Sequence, residues 1–142
     1  MQVKNAMNTK VVVANKDISV KEAARIMAKL RIGSLVILED EKIIGIITES
    51  DIIRKIVATG NDSAGTLIEQ VMTKDVVTVD AEKDLGDACQ LMVDHEIKRL
   101  PVLQDGKLVG IITTTDIIAV EPKLIENLAK VMLVSQNQMV AG

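Results

Sequence analysis

The sequence has 142 residues, a net charge of −3, 48% hydrophobic residues and no aromatic residue. This composition argues against nucleic acid as a partner, because duplexes attract basic surfaces and single strands stack on aromatic side chains. The chain has one cysteine and one histidine, which excludes an internal disulfide and a four-ligand zinc site. It has no apolar run long enough to span a membrane and no signal-peptide core, so we expect a cytoplasmic protein without membrane contacts.

The chain contains an internal repeat with an offset of 65 residues and no gaps. Between positions 3 and 53 and their counterparts, 17 of 51 aligned residues are identical. Met7 aligns with Met72, Gly45 with Gly110 and Asp51 with Asp116. The sequence therefore encodes two copies of one small unit.

Each copy begins with a β-rich run, at 11–13 and 76–79, which predicts a buried strand. A helix follows. In the first copy it starts at the capping box Ser19–Glu22 and carries apolar residues at helical spacing, at Val20, Ala23, Ala24, Met27 and Leu30. In the second copy Asp84 is the expected N-cap.

Two apolar runs come next, at 35–38 and 43–48, separated by a predicted hairpin turn over 39–42. Its counterpart in the second copy contains Asp105-Gly106, a pair of residues that favours a tight hairpin turn more strongly. A second helix is predicted to begin after Ser50 and after Thr115. Each copy thus has the element order β-α-β-β-α, which predicts a mixed α/β (α+β) fold. A unit of about 60 residues buries little apolar surface by itself. We therefore expect the two repeats to pack through their sheets around a pseudo-twofold axis.

The predicted organisation is repeat 1 over 1–59, a linker over 60–67, repeat 2 over 68–121, and a C-terminal helix and tail over 122–142. Pro122 interrupts the second helix of repeat 2. The amphipathic stretch from Lys123 has two interpretations. It either covers the core or forms a self-association surface.

The segments Gly45–Asp51 and Gly110–Asp116 place hydroxyls and a carboxylate where a strand leads into a helix. One interpretation is helix capping, with Ser50 or Thr115 as N-cap and the aspartate in the first turn. The other is a nucleotide site, since a helix N-terminus binds anions and a carboxylate accepts ribose hydroxyls.

These endings, the segment Val71–Val79 and the run Ile97–Val102, in fixed order within a duplicated unit, resemble the CBS (cystathionine β-synthase) domain pair, or Bateman module. The resemblance spans about residues 1 to 121. It implies binding of adenosine-containing ligands (AMP, ADP or ATP, with or without Mg²⁺, or S-adenosylmethionine) in two clefts between the repeats. It also implies a homodimer, no cofactor and no catalysis.

In the family, the aspartate that ends the strand-to-helix segment holds the ribose, and the hydroxyl side chains of the same segment approach the phosphate. The other repeat supplies the adenine pocket. Carried over, the first cleft combines Thr48, Ser50, Asp51 and Arg54 with Val77, Thr78, Ile97, Lys98, Arg99 and Pro101. The second combines Thr113, Thr115 and Asp116 with Val12, Val13, Ile32, Gly33 and Ser34.

The two clefts differ in charge. The first offers Arg54, Lys98 and Arg99 to phosphates, where the second has Ala119, Gly33 and Ser34. We therefore expect the first cleft to bind phosphorylated ligand more tightly, because arginine pairs well with phosphate oxygens. The alternative for Lys98 and Arg99 is a solvated sheet edge.

The leading hypothesis is an adenine-nucleotide-responsive regulatory module. A ligand-free protein-association scaffold is the alternative from another class. A nucleotide hydrolase is disfavoured because no phosphate-binding Gly-x-x-x-x-Gly-Lys-Ser/Thr segment or nucleophile–base pair is present. Cys89 is expected to be a buried inert thiol and His95 a surface residue at a helix end.

Overall fold

The computed structural model of the chain describes residues 1–133. The chain forms two compact units. The inner unit is Val11–Val76, and the outer unit joins Met1–Lys10 to the chain from Val77 onward.

The inner unit contains the predicted element order. Its elements are β1 (Val13–Ala14), α1 (Val20–Leu30), β2 (Ser34–Glu39), β3 (Lys42–Thr48) and α2 (Glu49–Ile52), which continues as a π-helical turn over Ile53–Val57. A 3-10 turn at Ile68–Gln70 follows. Strand β2 is central, parallel to β1 and antiparallel to β3.

The outer unit repeats this arrangement and adds one helix. It contains β4 (Val79–Asp80), α3 (Leu85–His95), β5 (Arg99–Gln104), β6 (Lys107–Thr113), α4 (Thr114–Val120) and α5 (Ile125–Met132), with 3-10 turns at Val3–Asn5 and Pro122–Leu124. Strand β5 is central, parallel to β4 and antiparallel to β6. The first strands of both units are shorter than the β-rich runs predicted.

Local chemistry explains the helix and turn positions. The Ser19 hydroxyl accepts the Glu22 N–H at 3.1 Å, as the predicted N-cap requires. The hairpin turns tighten to two residues with left-handed backbone, Asp40 and Glu41 in the inner unit and Asp105 and Gly106 in the outer unit. Such turns match the twist of the flanking strands.

The compact units do not coincide with the sequence repeats. Val3 is fully buried in the outer core, whereas Ile68, its repeat counterpart, is fully buried in the inner core. Isolated bridges join Asn8 to Ile111 and Thr73 to Ile46. The first segment of each predicted repeat therefore packs with the other repeat.

The predicted linker belongs to the inner unit. The carbonyls of Ser63 and Thr66 accept the N–H groups of Lys21 and Val20 at 2.9 and 2.8 Å. These are first-turn donors of α1 that have no partner inside the helix. The segment thus closes the N-terminus of α1.

Helix α5 covers the core of the outer unit, the first of its two predicted roles. Leu128 is fully buried, and Leu124 and Met132 pack against the same core cluster. Pro122 stands just after α4, which ends at Val120. The predicted tail beyond residue 133 lies outside the described residues.

Candidate ligand-binding site

A capping box closes the strand-to-helix junction of the inner unit. The Thr48 hydroxyl accepts the Asp51 N–H at 3.2 Å, and Asp51 Oδ2 accepts the Thr48 N–H at 3.0 Å. Thr48 has the extended backbone of an N-cap, and α2 begins at Glu49. The prediction of Ser50 as N-cap was therefore wrong, because α2 begins directly after β3, with no residue between the strand and the helix.

The outer junction has the same geometry. The Thr113 hydroxyl accepts the Asp116 N–H at 3.2 Å, and Asp116 Oδ2 accepts the Thr113 N–H at 3.0 Å. Thr113 is the N-cap and α4 begins at Thr114, so the assignment of Thr115 as N-cap was also wrong. Ser50 and Thr115 are exposed in the first helical turn.

Charge distinguishes the two aspartates. Asp51 is 3% exposed, and its Oδ1 lies 3.3 Å from Lys55 Nζ and 3.6 Å from Arg54 Nη2. Lys55 Nζ also donates to the Val71 carbonyl at 2.7 Å. Sequence analysis singled out Arg54 but missed Lys55, although the Asp–Lys spacing of four residues is a helical ion-pair signal.

The outer unit lacks these cations at the matching positions, which are Ala119 and Val120. Asp116 forms no salt bridge with any residue of the described part of the chain. The Asp116 carboxylate, which caps α4, therefore has no cation beside it on its own helix, whereas Asp51 has Lys55 and Arg54.

In the inner unit, the junction lies beside the start of β2. The Glu49 N–H donates to the Gly33 carbonyl at 3.1 Å, and Ser34 pairs with Thr48 across the strands. The Val36 N–H donates to the Val12 carbonyl at 3.2 Å. The segments predicted to contact adenine in the second cleft thus adjoin the junction predicted for the first cleft.

The outer unit repeats this neighbourhood. The Thr114 N–H donates to the Lys98 carbonyl at 2.9 Å, and Arg99 pairs with Thr113. Pro101 is buried in β5, opposite Ile111. Lys98 and Arg99 therefore lie beside the junction of their own repeat.

Each predicted cleft combines one junction with residues of the other unit. The structure brings together the junction and the strand segment of the same repeat, at Ser34–Thr48 and at Arg99–Thr113. The composite clefts stay a prediction.

A cavity of about 350 Å³ lies between β4 and α3 of the outer unit. It is lined by Thr78, Val79, Asp80, Lys83, Asp87, Gln90, Leu91 and Asp94. Three carboxylates against one ammonium make it unfavourable for phosphate. An anionic ligand near Thr78 would have to place its phosphates away from this cavity.

Within residues 1–133, no helix is long and apolar enough to cross a membrane. The same residues contain no group of three or more histidine, cysteine or acidic side chains placed to hold a metal ion.

The duplicated β-α-β-β-α unit, with a capped Thr/Asp junction in each copy, defines a tandem-repeat module of the CBS type. The family model of the CBS domain matches twice, at residues 3–58 and 68–123. The chain belongs to the CBS-domain family, and the predicted resemblance and the predicted mixed α/β fold of two tandem repeats are confirmed.

Relatives occur in archaea and bacteria. The uncharacterized protein MK0525 of Methanopyrus kandleri is 39% identical over 122 residues, which cover 82% of this chain and 62% of that protein. The CBS domain-containing protein YhcV of Bacillus subtilis is 33% identical over 115 residues, 81% of each chain. The chain thus spans less than two thirds of the Methanopyrus relative.

One similar solved structure contains ligands. The CBS domain pair of protein MJ0100, in complex with 5′-methylthioadenosine and S-adenosyl-L-methionine, has a TM-score of 0.77 and 31% identity. The match covers 87% of this chain and 97% of that one.

Proposed function

We propose that this chain is a regulatory module that binds an adenosine-containing ligand and has no catalytic activity of its own. One observation supports this most: each repeat ends in a strand-to-helix junction where a capping-box aspartate lies beside exposed hydroxyls and a helix N-terminus. A similar CBS pair was solved with two adenosyl compounds.

The proposed contacts follow from the junction chemistry. Asp51 and Asp116 accept hydrogen bonds from ribose hydroxyls, which a carboxylate can do with its remaining lone pairs. Ser50 and Thr115, exposed in the first helical turn, donate to phosphate oxygens alongside the helix N-terminus. Because the chain has no aromatic residue, aliphatic side chains and backbone groups contact the adenine.

Charge favours phosphorylated ligands at the site that includes Arg54, Lys98 and Arg99. AMP, ADP and ATP therefore rank above uncharged adenosyl compounds there. Hydrogen bonds to charged groups contribute about 1.5 to 3 kcal/mol each. Arg54 and Lys55 partly compensate the charge of Asp51, so Asp51 repels a phosphate less than Asp116 does.

Two assignments of the cationic segment are open to experiment. The family resemblance pairs Lys98 and Arg99 with Asp51 of the other unit. The strand register, in which Arg99 lies opposite Thr113, supports pairing with Asp116 of the same repeat.

Regulation would act through the packing of the two repeats. A ligand that contacts both shifts their arrangement only by its difference in affinity for the two states. Two copies of the chain form the proposed homodimer. A scaffold that binds no ligand is the rival, and the shared geometry of both junctions argues against it.

Calorimetric titration with AMP, ADP, ATP, S-adenosylmethionine and 5′-methylthioadenosine tests the proposal. Asp51→Asn and Asp116→Asn keep an oxygen for the capping box but remove the charge, and the affected site should lose about 10- to 150-fold in affinity. Asp40→Asn, in the exposed hairpin turn, is the matched control. If no ligand binds at about 1 mM, or the three variants behave alike, the proposal fails.

Phosphate release from ATP, with and without Mg²⁺, tests the absence of catalysis. We expect release no faster than in buffer. Turnover that is lost in Asp51→Asn would instead identify a hydrolase.

A further inference from the structure

The carboxylate of Asp51 is already surrounded by donors of its own chain. Its Oδ2 accepts the Thr48 N–H at 3.0 Å and the Thr48 hydroxyl at 3.1 Å. Its Oδ1 lies 3.3 Å from Lys55 Nζ and 3.6 Å from Arg54 Nη2. A carboxylate offers about four lone-pair sites in all. A ribose hydroxyl that binds Asp51 therefore competes with these donors.

The two cations beside Asp51 are held unequally. Lys55 is half-buried, and its Nζ donates to the Val71 carbonyl at 2.7 Å, which fixes the ammonium beside Oδ1. The Arg54 side chain is 67% exposed, and its Nε donates to the Ser50 carbonyl at 3.3 Å. Exposed ion pairs contribute little free energy. Arg54 is therefore the cation that a ligand displaces more easily, and Lys55 is the one that stays.

The outer junction lacks this pair of cations. Ala119 and Val120 occupy the matching positions, and both are exposed. Asp116 Oδ2 accepts the Thr113 N–H at 3.0 Å, as in the inner junction. No cation on α4 therefore competes with a ribose hydroxyl for Asp116.

This difference has a consequence for the class of ligand. An unphosphorylated nucleoside offers hydroxyl donors to Asp51, but it has no anionic group for the cation that its ribose displaces. A nucleotide carries a phosphate on the same ribose. Arginine binds phosphate oxygens with its planar fork, so the ion pair that Arg54 gives up at Asp51 is replaced within the same complex.

We propose that Lys55 and Arg54 are specificity-determining residues through which the inner junction selects phosphorylated over unphosphorylated adenosine ligands. Lys55 stays on Oδ1 of Asp51 and restricts the ribose contact, while Arg54 moves from Asp51 to the phosphate. The outer junction has no such selection on its own helix. This inference rests on the proposed binding of adenosine-containing ligands.

Calorimetric titration with AMP and with adenosine tests the selection. The titrations use the Asp116→Asn chain, in which only the inner junction keeps its carboxylate. Lys55→Met should weaken AMP binding, because the bare charge of Asp51 repels phosphate, and should strengthen adenosine binding, because Oδ1 becomes accessible. The ratio of the AMP affinity to the adenosine affinity should fall about tenfold or more. Lys55→Arg should keep the ratio.

Two further variants separate selection from folding. Lys42→Met removes the same charge at the exposed start of β3 and should leave both affinities unchanged. Lys55→Gln keeps a donor for the Val71 carbonyl without the charge, so it decides the matter if circular dichroism shows that Lys55→Met is poorly folded. An equal loss of affinity for both ligands would overturn the inference. Failure of the unmodified chain to bind either ligand would refute the proposed function itself.

Transfer of the cations to the outer junction is the reciprocal test. In the Asp51→Asn chain, the double change Ala119→Arg/Val120→Lys places cations three and four residues after Asp116, where helical side chains meet. This change should raise the ratio of the AMP affinity to the adenosine affinity about tenfold. An unchanged ratio would show that these two positions do not determine the ligand class.

Discussion

Gly45 of β3 lies against Met72 with no room for a side chain. A Cβ built on Gly45 would overlap Met72 Sδ and lie 2.8 Å from Met72 Cγ. Gly110 and Met7 have the same relationship in the outer unit, where the Cβ would lie 2.9 Å from Met7 Cγ. The glycine that opens each Gly-x-x-Thr segment is therefore needed for close packing of a methionine.

We expect Gly45→Ala to lower the free energy of unfolding by about 1 to 3 kcal/mol, the usual cost of overpacking a core. Urea unfolding followed by circular dichroism measures this loss. Combining Gly45→Ala with Met72→Ala should cost less than the sum of the single changes, because the smaller side chain vacates the space. Strict additivity would show that the two residues do not interfere.

Gly86→Ala is the matched control. Gly86 lies in α3. Apart from the chain neighbours of Gly86 and the backbone of its own helix, no heavy atom lies within 4 Å of a Cβ added there. Alanine at this position should raise the stability by about 0.5 to 1 kcal/mol, because glycine is the more costly residue in a helix. A loss of stability would mean that α3 tolerates no added methyl group.

Arg99→Ala should weaken AMP binding about 10- to 150-fold, and Ser34→Ala much less, because only the former removes a charged donor. Equal effects would refute the charge asymmetry of the two clefts. A double-mutant cycle then assigns the site. Coupling of Arg99→Ala with Asp51→Asn supports a cleft shared by both repeats, whereas coupling with Asp116→Asn supports a site within one repeat.

Lys55→Met should reduce the stability by about 1 kcal/mol, since the Val71 carbonyl loses its ammonium donor and Asp51 its nearest cation. Arg54→Met should cost under about 0.5 kcal/mol, because Arg54 is exposed and its ion pair is screened. Chemical denaturation at neutral pH measures both. The prediction fails if the two variants lose equal stability.

Burial raises the pKa of the Cys89 thiol, and the nearby Glu121 adds to the rise. The folded state thus favours the neutral thiol over the thiolate. This contribution to stability is complete below the thiol pKa of the unfolded chain, about 8.5. It is lost as the pH rises through the higher thiol pKa of the folded chain. Stability should fall more steeply above pH about 8.5 in the unmodified chain than in Cys89→Ala. Parallel pH profiles would contradict this.

The sequence predicted the element order because each copy repeats the same local signals. Ser19 before an apolar helical stripe fixes the start of α1, and Asp105-Gly106 fixes the second hairpin. The N-cap of the second helix was misplaced because three hydroxyl or acidic residues follow Thr48 and Thr113 in succession. Propensity alone cannot choose among adjacent capping residues.

The packing of the first segment of each repeat was not predictable from the internal repeat. Val3 and Ile68 are equivalent in the alignment, so the offset shows that both are core residues but not which core each enters. The ion pair of Lys55 with Asp51 was signalled by spacing. Its second contact, to the Val71 carbonyl, depends on a segment 16 residues away.

Because Met1–Lys10 belongs to the outer unit, the chain closes that unit only after the whole inner unit has been synthesised. The inner unit is one continuous stretch of chain, Val11–Val76, so all of its residues have been synthesised before the outer unit is complete. Met7 cannot pack against Gly110 until the second repeat has been synthesised. The segment Met1–Lys10 is therefore synthesised before the inner unit, but it can pack into the outer unit only after the second repeat has been made.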